Sequence, residues 1–566
     1  MDIAKNLAEN ISSAQSFTLP DLVIKNVSYL NVFTESFEKA DIAVKNGVIV
    51  GVGDYEGENE IEGEGKTLVP GFIDGHTHLE SSVISPKQYC KAVVPHGTVA
   101  VVTDPHEITN VLGKTGFDYI YEETKKLPLD VYLMVPSCVP ATPFDESGAD
   151  LTLEDMEEML SRPRVLGLAE MMNFPGVIYG DKNVIAKLEL ARKHEKLIDG
   201  HAPALSGKQL SAYVGAGIGT DHECVNEAEA VEKIALGQYI MIREGTAGKN
   251  LEGLKGLFKR PYCHRCMLAT DDKHPGELSL DGHIDYIIRR AISLGADPVC
   301  AYKMASFNAA AYFGFKTKGA IAPGFEADFV LLDDVKRVKI NSVYKAGVRI
   351  DNRVGELVDA IDEENPHRAQ ACDTVHIAPV TAESFKIKKD REKVIGLIPQ
   401  QILTTDEGEA SEVDVEKDIC KLSVIERHHA TGHMASAYIK GYGLKSGAVA
   451  TSIAHDSHNI IVVGTNDEDM ALAVNRLSDI HGGMVVVENG EVLAELSLPI
   501  GGIMCDLDTA SAEVGLYSVK RAAYRLGVSE NIDPFMTLSF ASLAVIPTLR
   551  LTTKGVVDVS KFELLD

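Results

Sequence analysis

The chain has 566 residues, too many for one hydrophobic core, so two to four domains are expected. Its apolar fraction of 45% with 24% charged residues is that of a folded globular protein and excludes a disordered or fibrous chain. With 83 acidic against 55 basic residues the formal charge is −28, which argues against nucleic acid or an anionic membrane as partner, since both need clustered Lys and Arg. No apolar run reaches the roughly 18–20 residues that span a bilayer, and the first residues lack the basic start and apolar stretch of a secretion signal. Nine scattered cysteines without framework spacing suit reduced thiols, so a soluble cytoplasmic protein is expected.

In chain order, residues 22–33 and 41–52 read as alternating strands, with Asn46-Gly47 as a hairpin turn. A similar strand-rich block returns at 327–332 and 342–350, and the two blocks could pair into one small β domain. Between them lie eight continuous apolar runs, at 67–74, 98–103, 131–135, 165–169, 196–199, 217–219, 239–242 and 267–269, separated by helical stretches. That alternation is the mark of βα units around a parallel sheet buried on both faces. The expected class is α/β. A (β/α)8 TIM-like barrel spans 67–316, a small β-sandwich domain is made of 1–66 and 317–375, and a C-terminal mixed α/β domain fills 376–566. Within the last, residues 404–418 read as an acidic exposed loop or linker, and residues 448–487 as β-α-β.

Nearly every barrel run ends in polar residues: Asp74-Gly75-His76-Thr77-His78, Asp104-Pro105-His106, Glu170, His201, Asp221-His222-Glu223, Arg243-Glu244 and Asp271-Asp272. Catalytic groups of such barrels come from strand C-termini and the loops that follow. One strand-end His or Asp is more often a loop residue or a helix cap; clusters in phase with eight strands are not explained that way. His76 and His78 stand two apart on a strand, so both imidazoles point to one side and can reach one ion.

Pro70-Gly71-Phe72-Ile73-Asp74-Gly75-His76-Thr77-His78 resembles the first-strand signature of the amidohydrolase superfamily, and His201, His222 and Asp271 match its fifth-, sixth- and eighth-strand positions. Where many binuclear members carry a carboxylated lysine, the fourth run ends Gly167-Leu168-Ala169-Glu170-Met171-Met172. Glu170 there resembles the bridging glutamate of the adenine deaminase family. The segments around His78-Leu79-Glu80-Ser81-Ser82, Thr103-Asp104-Pro105-His106-Glu107, Ala269-Thr270-Asp271-Asp272 and Ala454-His455-Asp456-Ser457-His458-Asn459 are similar as well. The resemblance implies metal ligation by His76, His78, Glu170, His201, His222 and Asp271. It implies two divalent ions, manganese first with iron or zinc as alternatives, and a small purine base as substrate. The implied reaction is hydrolytic deamination of adenine to hypoxanthine and ammonia, with a metal-activated hydroxide attacking C6.

In that reading Asp271 is ligand and proton shuttle, and Glu223 protonates N1, because it directly follows the ligand His222. The plainer alternative for Glu223 is that it opens a helix over 223–236, where a carboxylate is favourable. Asp104, His106, Asp272, Glu80 and Ser81 are candidates for contacting substrate or orienting ligands. His455 and His458 either close over an active site or pin their domain through hydrogen bonds. Cys263-His264-Arg265-Cys266 is a departure from the family, and no second cysteine pair accompanies it. A homo-oligomer is expected. Rival functions are an amidohydrolase acting on another cyclic amide or N-acyl substrate, and a non-catalytic scaffold that kept the barrel.

Overall fold

The structure is a computed structural model, and it describes residues 3–246, 248–399 and 401–565. Residues 1, 2 and 566, the outer ends of the first and last expected domains, lie outside that description. The N-terminal strands Leu22–Asn31, Ser36–Lys45 and Val48–Gly53 pair antiparallel in sequence order. The turn between the last two places Asn46 and Gly47 at φ of 52° and 76°, the left-handed region that Asn-Gly tolerates. From the far side of the barrel, Phe329–Asp334 returns to pair antiparallel with Thr67–Pro70, with Leu331 opposite Leu68. Lys339–Lys345 and Val348–Arg349 extend the edge, so both ends of the barrel feed one eight-stranded sheet.

The apolar run at 67–74 is therefore two strands rather than one. Pro70 has no N–H for a ladder, and Gly71 donates sideways to the Asp328 carbonyl at 3.0 Å, so the chain leaves the small sheet there. The first barrel strand is Phe72–Thr77. Thr98–Thr103, Asp130–Val135, Val165–Met171 and Leu197–Gly200 follow it in one parallel sheet. Thr220–Asp221, Tyr239–Arg243 and Cys266–Ala269 form a second. The sixth strand begins just after the expected 217–219, because Gly217, at φ of 96°, is still in the turn that leads into it. The Gly219 N–H reaches the Ile198 carbonyl at 2.9 Å, and Thr77 bridges Asp271 in parallel register, which joins the two sheets on both sides. The barrel is closed, as the (β/α)8 reading requires.

Alternate residues of these strands fill the interior, among them Ile73, Ala100, Val102, Met134, Met241 and Met267. Gly75 is needed at the seam between first and last strands: a Cβ there would stand 2.8 Å from the Met267 sulfur.

The C-terminal domain is built on a second eight-stranded sheet. Strand Ile460–Gly464, helix Asp467–Asp479 and strand Gly483–Glu488 form the β-α-β unit, and the Asn466 side chain caps the helix by accepting from the Asp469 N–H. Met470, Val474 and Leu477 pack its inner face on Val462, Val485 and Val487. The stretch read as an acidic linker is in part an edge strand, Thr404–Ala410, paired with Glu392–Leu397. Its charged residues face water along the edge, where they deter pairing with another chain. No helix among the described residues is long and apolar enough to cross a membrane.

The domain docks over the C-terminal end of the barrel. Across the seam the Ser85 N–H donates to the Cys505 carbonyl and the Cys505 N–H to the Val83 carbonyl. Within the C-terminal part the fully buried Arg427 donates to the carbonyls of Thr374, Gly501 and His458. Cys263 precedes the eighth strand and Cys266 is its first residue, at the end opposite the site, with Cys263 Sγ 3.0 Å from Cys300 Sγ.

Candidate active site

Strand geometry delivers the first donors. His76 and His78 leave the first strand on the same side, and the His78 ring is set by a 2.9 Å contact between Nδ1 and the Asp104 carbonyl. Its Nε2 then faces inward, 3.4 Å from Glu170 Oε1 and 3.3 Å from Asp271 Oδ1. Asp271 adopts a left-handed backbone, φ 58°, at the end of the eighth strand. That conformation is held by its N–H on the His76 carbonyl and by the His78 N–H on its own carbonyl.

Glu170 ends the fourth strand at the centre. Oε1 faces His78, while Oε2 lies 2.7 Å from His201 Nδ1 and 3.1 Å from His222 Nε2. The loops carrying the last two histidines share one anchor: Asp221 accepts from the Ala202 and Glu223 N–H groups and pairs with the buried Lys233 at 3.1 Å. The structure thus brings His76, His78, Glu170, His201, His222 and Asp271 into one cluster.

Their electrostatics favour ionised carboxylates. Burial pushes the Glu170 carboxyl up, but His222 and His201 outweigh it and hold the group well below the usual carboxylate range. Burial acts likewise on Asp271 and is outweighed by the Arg243 guanidinium and by His76 and His78. His76 Nε2 is fully buried with no hydrogen-bond partner among the described residues, although Asp271 Oδ1 lies 3.5 Å away. An orphaned imidazole nitrogen facing carboxylates and further imidazoles fits a divalent cation.

Around this cluster, Asp104 Oδ2 lies 3.1 Å from His106 Nδ1, and His106 continues to Glu107 at 3.5 Å. Ser81 donates to Asp272 at 2.5 Å. Glu80 and Ser81 line a smaller adjoining cavity of about 40 Å³, which shares Asp272, Glu107, His455 and Phe540 with the main one. Glu223 does not open a helix. The helix runs Glu227–Ala235 with Asn226 as its cap, and Glu223 precedes it, facing Arg243 at 2.7 Å. Arg243, at the end of the seventh strand, also reaches Asp271 Oδ2 at 2.5 Å. Sequence reasoning gave Arg243 no role, although its strand-end position was the available signal. Glu107 and Asp456 were likewise given no role, whereas His455 was read with His458 as either closing over an active site or pinning its domain.

The cluster opens into a cavity of about 380 Å³. One wall carries His78, Glu170, His201, His222 and Asp271. The other is apolar and comes from the C-terminal domain, through Leu403, Phe540, Leu543, Val545 and Ile546.

Comparison with known proteins accounts for both walls. Residues 67–350 match the amidohydrolase family, and residues 399–563 match the adenine deaminase C-terminal domain. The chain is 44% identical over 554 residues to adenine deaminase 2 of Carboxydothermus hydrogenoformans, covering 96% of each chain. This chain belongs to the adenine deaminase family of amidohydrolases. It is also 43% identical over 570 residues to adenine deaminase of Dehalococcoides mccartyi strain CBDB1, covering 99% of each. A solved enamidase structure, 17% identical, covers 58% of this chain and 95% of its own with a TM-score of 0.45. Divalent-metal binding is what membership of the amidohydrolases implies, and the donor set fits it.

Proposed function

We propose that this chain deaminates adenine hydrolytically, giving hypoxanthine and ammonia. The observation that carries the reading is the join between the two matched regions. The segment similar to the adenine deaminase C-terminal domain supplies the apolar wall of the cavity whose other wall is the metal-donor cluster. A flat heterocycle suits a cleft with one apolar and one polar side.

His76, His78 and Asp271 would hold one divalent ion and His201 and His222 another, with Glu170 directing one oxygen to each group. Manganese is the first choice, with iron or zinc as alternatives, since nitrogen and oxygen donors accept all three. Such a pair lowers the pKa of water, so that hydroxide is available near neutral pH.

The chain's own groups handle the protons. As the water oxygen attacks C6, the Glu223 carboxylate takes the first proton and delivers it to N1. Asp271 takes the second proton from the new C6 hydroxyl and returns it to the departing amine. Arg243 tethers both carboxylates and keeps them facing one substrate. The balance is one adenine and one water in, one hypoxanthine and one ammonia out.

The test is incubation of the manganese-reloaded protein with adenine. Equimolar hypoxanthine and ammonia are expected. Metal-loaded protein that leaves adenine untouched would overturn the reading and send the search to hydantoins and acyl amines.

A further inference from the structure

His455 and His458 differ in what they have left to offer. His458 is spent: Nε2 contacts Glu107, Nδ1 accepts from the Ala454 N–H, and the side chain is 1% exposed. His455 is held but not spent. Its Nδ1 lies 2.9 Å from Glu107 Oε1, and its ring stacks on Phe540 with centroids 4.7 Å apart. Its backbone N–H donates to the Ser539 carbonyl, and its own carbonyl accepts from Ser542. Burial pushes the Glu107 carboxyl up, but His455, His458 and His106 outweigh that, so Glu107 is a carboxylate and the His455 Nδ1–H donates to it. The remaining nitrogen, Nε2, makes no hydrogen bond among the described residues, and the ring lines the cavity.

Next to it, Asp456 also lines the cavity. The residue is 3% exposed, and its buried Oδ2 has no hydrogen-bond partner among the described residues. A buried carboxylate left unpaired is costly unless a ligand completes it. Burial pulls the pKa of the His455 ring down, but Glu107, Asp272 and Asp456 outweigh it and push it up to about 9, so the ring is an imidazolium. Its Nε2–H and the neighbouring Asp456 carboxylate present one donor and one acceptor.

Adenine offers the matching pair. Its C6 must sit at the metal donors, so the opposite edge, bearing the N3 lone pair and the N9–H, meets the wall that the C-terminal domain provides. The geometry points to His455 and Asp456 as the residues that read this edge: His455 Nε2–H donates to N3 and Asp456 accepts from N9–H. The inference rests on the adenine reading above and deepens it. It assigns the C-terminal domain the selection of a free base, because a sugar at N9 removes the proton that Asp456 needs and fills its place.

The test uses the manganese-loaded full chain with adenine, 3-deazaadenine and 9-methyladenine, and the variants His455→Leu, His455→Gln and Asp456→Ala. The wild type should prefer adenine over both analogues in kcat/KM by about tenfold or more, the scale of a hydrogen bond to a charged group. In His455→Leu the preference over 3-deazaadenine should collapse, through KM more than kcat, with metal content unchanged; His455→Gln, which keeps a donor, should recover part of it. Asp456→Ala should lose the preference over 9-methyladenine alone. Should a variant not fold, the competitive inhibition constants of the analogues against wild type decide, and equal constants for all three bases overturn the proposal. Wild type active on adenine, with discrimination unchanged in the variants, overturns this assignment only. Wild type inactive on adenine overturns the function itself and this assignment with it.

Discussion

Arg243 Nη1 lies 2.5 Å from Asp271 Oδ2, an ion pair inside the cavity that fixes the orientation of a carboxylate whose other oxygen faces His76 and His78. The same nitrogen reaches Glu223 at 2.7 Å. Replacing Arg243 by Met should lower kcat about 10²-fold while the ions stay bound, because the two proton-carrying groups lose their common tether. Lys, a point charge without the planar fork, should restore only part. Metal analysis alongside steady-state kinetics checks this; loss of metal in step with activity would assign Arg243 to ligand support instead.

Glu170→Gln should lower metal content and turnover together. Glutamine keeps the shape but removes the charge that two groups of donors share. The loss should exceed the roughly 10–100-fold that follows removal of an outer partner of a ligand. A full metal complement with normal turnover would refute the bridging role.

Arg427→Met tests the packing within the C-terminal part of the chain. The guanidinium is fully buried and serves the carbonyls of Thr374, Gly501 and His458, so its removal leaves three buried acceptors unpaired. A loss of about 1–3 kcal/mol or more is expected, read as a lower denaturation midpoint, since that is the scale for leaving a buried acceptor unsatisfied. Unchanged stability would mean that water replaces the guanidinium.

Asp145 gives a pH dependence. Burial pushes its carboxyl up to about 7 despite the Thr142 hydrogen bonds, and nearby Asp456 adds to the rise. Because the folded pKa is raised, the stability this group contributes is present below its unfolded pKa near 4 and is lost as pH rises through about 7. Asp145→Asn, which cannot ionise, should therefore stabilise the fold more at pH 8 than at pH 5, by on the order of 2–3 kcal/mol. Melting curves at the two pH values decide, and an equal effect at both would contradict the shift.

The barrel was legible because its strands are buried on both faces, so runs such as Thr98–Thr103 are apolar throughout and end abruptly in polar residues. Boundaries were less legible where one run serves two sheets. Nothing in the apolar character of 67–74 says that Pro70 closes one ladder and Phe72 opens another. The edge strand Thr404–Ala410 was hidden by its charges, which exist because it is an edge. The six clustered donors stand at strand ends and took their ligand roles from the family resemblance, whereas the strand-end position of Arg243 did not reveal its partners Glu223 and Asp271, which follow the sixth and eighth strands. Least legible was the contact of Glu107 with His458, 351 positions apart in the chain, because periodicity carries no information about how domains dock.

The most direct measurement of the whole account is adenine turnover by metal-free protein as manganese is added back in counted equivalents. The account predicts no activity in the apoprotein, a rise that breaks at two ions per chain, and no turnover of adenosine at any point. Full activity at one ion, or two bound ions without ammonia release from adenine, would contradict it.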